Sequence, residues 1–134
     1  MLCLDLSAEM VRLCREKGLR AEVADLEDFR LPEKFDGVYA NASLLHVPKT
    51  RAPIAVGLIA DHLKPDGVAL VSLKEGSGEG MEDHDRFPGT RRWFSYYSFE
   101  EASGLFADRF TVIETRREPV ENKFVFLKFF LKLR

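Results

Sequence analysis

The chain has only two cysteines, Cys3 and Cys14, in 134 residues. That is too few for a disulfide framework and the wrong spacing for zinc, so both read as buried thiols of a reducing compartment. Long hydrophobic runs are also missing. The best candidate, 124–131, is broken by Lys128 and falls short of the roughly 20 residues that span a bilayer, so it reads as a buried strand. The N-terminus carries no basic segment followed by an apolar run, which argues against a secretory signal. A cytoplasmic protein without a membrane partner is the expectation. Charge of one sign is lacking as well: 20 basic residues against 22 acidic ones give a net charge of -2, no strong field for a phosphate backbone. The doublets Arg91-Arg92 and Arg116-Arg117 are short enough to be solvated surface, and nucleic acid is not an expected partner.

What the chain does have is material for one core. With 46% hydrophobic and 31% charged residues, and a length typical of one domain, it reads as a single folded unit. Residues 2–4 form a short strand, and Ser7 is a helix N-cap with Glu9 in the first turn. That helix turns Met10, Val11, Leu13 and Cys14 inward and ends at Gly18. Strands follow over 20–24 and 35–40, then a helix over 50–63 with Pro53 in its first turn, where a missing N–H costs little. Lys64-Pro65-Asp66-Gly67 has the composition of a type I turn, and 68–73 reads as a strand covered on both faces. Residues 74–88 read as a polar loop, Ser98 with Glu101 as a capping box, and 110–115 with 124–132 as an antiparallel edge pair. The order βα, β, βα, β, loop, αββ predicts an α/β fold: a three-layer sandwich around a Rossmann-like, mostly parallel sheet with an antiparallel C-terminal strand pair.

Chemistry is expected where those strands end. In an open α/β sheet the carboxyl ends of the strands face the ligand crevice, which places Asn41, Ser43 and His46 within reach of a ligand. Asp5 follows the first strand, where a carboxylate can accept from both hydroxyls of a ribose or can assist the cap of the next helix. Asp25-Leu26 follows the second strand, offering a carboxylate to an exocyclic amine and an apolar side chain to a ring face. His46 has the intrinsic acidity to take a proton near neutral pH, or can serve as a structural donor. Gly76-Ser77-Gly78-Glu79-Gly80 is refused as a phosphate cradle because an acidic run follows it and not a helix start; a lid over the cleft is the better reading. Glu82, Asp83, His84 and Asp85 adjoin one another on a loop, a poor arrangement for converging on a metal, so no metal site is expected. The run from Arg91 to Tyr97 reads as a substrate wall or as packing for the last helix.

Four segments, Leu4-Asp5-Leu6-Ser7-Ala8-Glu9-Met10, Ala24-Asp25-Leu26-Glu27-Asp28, Phe35-Asp36-Gly37-Val38 and Leu63-Lys64-Pro65-Asp66-Gly67, together resemble class I S-adenosylmethionine-dependent methyltransferases of the small-molecule, type 11 or type 25 kind. The resemblance implies S-adenosyl-L-methionine as cofactor and a small-molecule methyl acceptor. It implies that Asp5 holds the ribose, Met10 or Leu6 lines the adenine, Asp25 and Leu26 meet the adenine edge, Asn41 lies near the methionine portion, and His46 is the catalytic candidate. It begins at what would be the family's second strand, so the first strand and its glycine-rich turn have no counterpart before Asp5, and the domain over 1–134 is expected to be N-terminally truncated. In the family's sheet the absent strand is central. Its loss predicts a gap of about 10 Å between strands 2–4 and 35–40, closed by direct pairing, by a strand from another chain, or by upstream sequence. Two other readings stand beside methyl transfer. One is a non-catalytic binding or assembly module that forms a homo-oligomer through the exposed sheet edge. The other is a nicotinamide-binding Rossmann protein, which the C-terminal strand pair and Asp25-Leu26 disfavour.

Overall fold

A short strand, β1 (Leu2–Asp5), opens the chain and is turned into a helix by its own last carboxylate. Asp5 Oδ1 accepts the Ser7 N–H at 2.8 Å, and Ser7 Oγ accepts the Met10 N–H at 3.3 Å, which caps α1 (Ala8–Glu16) as the sequence predicts. Gly18, at φ +82°, supplies the left-handed residue that turns the chain into β2 (Arg20–Val23). β1 and β2 pair in parallel from Leu2 with Arg20 to Asp5 with Val23. This computed structural model describes residues 1–83 and 88–134.

β3 (Phe35–Ala40) begins the main sheet, followed by a 3₁₀ turn over Leu44–His46 and by α2 (Ala52–Asp61). β4 (Leu63–Glu75) is its axis. β3 lies parallel along one edge of β4, and β8 (Phe124–Leu133) runs antiparallel along the other from Val68 to Lys74. Past Val71, β6 (Arg91–Tyr97) pairs in parallel with Lys74 and Glu75. β5 (Glu79–Asp83) and β7 (Phe110–Val120) close the two sides by antiparallel pairing with β6 and β8. α3 (Phe99–Phe106) starts at Ser98 in a complete capping box with Glu101. The fold is thus α/β with a Rossmann-like sheet, parallel through its βα units and antiparallel at its C-terminal strands.

One face of that sheet holds the core. Ala69, Val71 and Leu73 of β4 alternate inward with Leu127, Phe129 and Leu131 of β8, and they meet Ala55, Val56 and Ile59 of α2 and Phe106 of α3. Each large side chain buried in this way contributes about 1.5–3 kcal/mol. Among the described residues no helix is long and apolar enough to cross a membrane.

Several expectations change. The Lys64–Gly67 segment is no free turn: it bulges from the ladder between the pairs Phe35–Leu63 and Gly37–Val68, with Asp66 at φ 64°. Gly67 is required there, because a Cβ would lie 2.8 Å from the Lys64 carbonyl oxygen. Residues 79–83 are a strand of a hairpin and not a loop; His84 and Asp85 lie outside the described residues. Cys3 and Cys14 are half-buried, not buried. Most consequential is the central gap. β1–β2 forms a sheet of its own, and the edges of β1 and β3 do not pair directly.

Candidate functional site

The space between the two sheets is a cavity of about 1380 Å³, lined by every residue of β1 and of β3. It exceeds the roughly 300–1,000 Å³ of an ordinary ligand pocket, and the two separate sheets stand on either side of it. The β-strand ends bring the expected residues to it: Asp5, Leu6, Asp25 and Leu26 line one side, and Asn41, Ser43 and His46 line the other. Met10 is not brought in. It lies on α1, 48% exposed and outside the lining, so of the two adenine candidates the structure gathers Leu6 alone.

Asp5 and Asp25 are set in the same way. Each uses one carboxylate oxygen on a backbone N–H two residues on, Ser7 for Asp5 and Glu27 at 2.9 Å for Asp25. The two alternatives for Asp5 are therefore compatible, since capping occupies Oδ1 and leaves Oδ2 as an acceptor. The wall that carries Asp25 and Leu26 is pinned from behind by His62, a buried residue that sequence reasoning passed over. Its Nδ1 lies 2.7 Å from the Leu58 carbonyl, so Nδ1 carries the proton and Nε2 accepts the Leu31 N–H at 3.0 Å. The ring also packs on Phe29 with centroids 4.5 Å apart. An Arg51–Glu27 ion pair ties the same wall to the start of α2.

On the opposite side, His46 Nδ1 lies 2.8 Å from the Trp93 carbonyl oxygen and the ring meets Phe94 edge-on at 4.9 Å. A carbonyl only accepts, so in the neutral ring Nδ1 holds the proton and Nε2 the lone pair. Close contacts anchor this loop to the β5–β6 hairpin: the Ser95 hydroxyl lies between two acceptors, the Val47 carbonyl at 2.8 Å and Glu79 Oε2 at 3.1 Å, and the Lys49 N–H donates to Glu79 at 2.8 Å. The Lys49 N–H holds the Glu79 carboxyl below its ordinary range, helped by the Ser95 hydroxyl. Tyr97 packs beneath, its phenol pushed up to about 12 by burial and by the Glu79 and Glu101 carboxylates. Arg92 and Trp93 line the cavity while Tyr97 is buried, so the Arg91–Tyr97 run serves both as wall and as packing.

The Asp5 and Asp25 carboxylates on one rim and the Asn41 amide on the other fit a ligand that has hydroxyl or amine donors at one end and an acceptor at the other. The fold has many solved counterparts. A S-adenosylmethionine-dependent methyltransferase from Clostridium acetobutylicum ATCC 824 is 16% identical, with a TM-score of 0.75 over 98% of this chain and 74% of that one. A SAM-dependent methyltransferase from Methanosarcina mazei is 15% identical, with a TM-score of 0.82 over 98% of this chain and 81% of that one. The 1,6-didemethyltoxoflavin-N1-methyltransferase of Burkholderia thailandensis, solved with 1,6-didemethyltoxoflavin and S-adenosylhomocysteine bound, is 21% identical, with a TM-score of 0.76 over 98% of this chain and 60% of that one. No curated protein matches the chain in sequence. Residues 1–67, which span β1 through the bulge of β4 and hold all seven expected residues gathered in the cavity, match the model of the methyltransferase domain, and the chain belongs to that family.

Proposed function

We propose that this chain is a single methyltransferase-like domain over 1–134 that uses S-adenosyl-L-methionine to methylate a small-molecule acceptor. The observation that carries the reading is the shared cavity, with Asp5 and Asp25 on one rim and Asn41 and His46 on the other. When bound, the cofactor supplies an electrophilic methyl group on a sulfonium. The protein's part is position and exclusion of water, which for an in-line displacement can provide most of the rate. Asp5 Oδ2 accepts from the ribose hydroxyls, Asp25 from the adenine amine, and Leu6 and Leu26 cover the ring. His46, held at the cavity by the Trp93 carbonyl, is the candidate to assist loss of a proton from the acceptor substrate. Trp93 and Arg92 stand beside it as the acceptor wall.

Calorimetry with S-adenosylhomocysteine tests the reading. One site is expected, with affinity falling at least about tenfold in Asp5→Ala, the loss of a charge-assisted hydrogen bond. Absence of heat from the unaltered protein would contradict it. The edges of β1 and β3 at the cavity, unpaired among the described residues, favour a second reading, an assembly module that oligomerises through them. Light scattering that finds only monomer removes that alternative.

A further inference from the structure

The register of β3 on β4 brings together two polar residues just beyond the ladder. Ala40 pairs with Val71, so Asn41 and Ser72 come next to each other, with Ser72 Oγ 2.8 Å from Asn41 Oδ1. Ser72 is only 2% exposed. Its oxygen also accepts the Ala42 N–H at 2.8 Å, and Ala42 sits at φ 53°, a left-handed conformation uncommon outside glycine. A hydroxyl has one proton to give. With Ala42 donating to the oxygen, that proton goes to Asn41 Oδ1. Flipping the Asn41 amide would leave the buried Ser72 hydroxyl proton without this acceptor, a costly outcome for a hydroxyl that is 2% exposed. The amide therefore has one orientation. Its NH2 group has no partner among the described residues, and Asn41 is exposed and lines the cavity.

The geometry points to Ser72 as a positioning residue that aims the two Asn41 N–H donors at an acceptor oxygen of the ligand, the carboxylate at the amino-acid end of the cofactor. The assignment of that oxygen rests on the methyl-transfer reading and follows from complementarity. The nucleoside end of S-adenosylmethionine offers hydroxyl and amine donors, which suit Asp5 and Asp25 across the cavity. Its one anion suits an amide donor and is repelled by those carboxylates.

The decisive pair of variants is Ser72→Thr and Ser72→Val, both β-branched and suited to a strand, one with the hydroxyl and one without. S-adenosylhomocysteine carries the carboxylate, and 5′-methylthioadenosine lacks the amino-acid end. S72V is expected to weaken the first ligand about tenfold and the second less than about twofold, with S72T near the unaltered protein. Equal losses for both ligands, or S72T as weak as S72V, overturn the inference. A second readout needs no ligand: the ¹⁵N order parameter of the Asn41 side-chain amide is expected to fall in S72V and to hold in S72T. If it is unchanged in both, Ser72 does not position Asn41. Failure of the unaltered protein to bind either nucleoside would instead remove the methyl-transfer reading, and with it the carboxylate assignment, while the relaxation contrast still decides the positioning role.

Discussion

Residues 1–23 and residues 35–134 differ sharply in how they are held. The β1–α1–β2 unit buries only Val11 and Ala21, and it leaves Leu6, Met10, Leu13 and Val23 exposed. The β3–β8 body, with α2 and α3, supplies nearly all of the main core cluster, whose first member is Phe29. The candidate site is split along the same line, with Asp5 on the sparse unit and Asn41 and His46 on the packed body. Binding chemistry thus resides on two parts of unequal stability, and a ligand that touches both contributes to holding the weaker one in place.

The largest test of that contrast is Phe129→Ala. Phe129 is fully buried and packs on Phe106 at 5.1 Å and on Phe99 at 5.8 Å, so about 3–5 kcal/mol of global stability should be lost in urea titration. Val11→Ala should cost about 1–2 kcal/mol and register as faster hydrogen exchange within 1–23, leaving exchange in β4 and β8 unchanged. If Val11→Ala instead lowers protection throughout, the two parts are one cooperative unit and the contrast fails.

His62→Ala comes next, because it acts at the join. Removing the ring leaves the Leu31 N–H without its partner, while the Leu58 carbonyl keeps the His62 backbone N–H at 3.2 Å; the cost is about 1–3 kcal/mol, and the wall that carries Asp25 is freed. Exchange of the Leu31 amide reports this directly; an unchanged rate would mean that the wall is held by something else. A smaller effect follows from acid. The Glu79 carboxyl is lowered by the fold, so its contribution is complete above the ordinary carboxylate range and is lost as pH falls through its lower folded value. Thermal midpoints taken from about pH 5 down to about pH 2 should therefore fall less steeply in Glu79→Gln than in the unaltered protein. Parallel profiles would show that the Lys49 and Ser95 contacts do not couple to folding. The smallest change is Tyr97→Phe. The Tyr97 hydroxyl is buried with no hydrogen-bond partner among the described residues, so its removal should leave the melting temperature equal or raise stability by up to about 1 kcal/mol. A clear loss would reveal a partner for the phenol.

Local signals carried the sequence reading furthest. The caps at Ser7 and Ser98 and the glycine at 18 depend on neighbours within three or four residues, and each stands where the pattern puts it. The strand ends also place Asp5, Asp25, Asn41 and His46 at one cavity, because βα topology alone sends those ends to the same side. Residues 79–83 hid their strand, since Glu79, Glu82 and Asp83 show no apolar alternation and the pairing with 91–95 supplies the order instead. His62 and Ser72 were missed for a different reason. Their partners Leu31 and Asn41 are each 31 residues away, and only the register brings them together. A buried His or Ser in an apolar run was the available clue. Met10 shows the converse, a residue assigned by resemblance whose helix turns it out toward solvent.

The central claim is that one nucleoside bridges the two parts of the molecule across the cavity. Amide shift mapping during a titration with S-adenosylhomocysteine tests it in one spectrum series. Asp5, Asp25 and Asn41 are expected to move together along a single binding curve, and hydrogen exchange within 1–23 should slow as the site fills. Shifts confined to one side of the cavity, or none at all, would contradict the account.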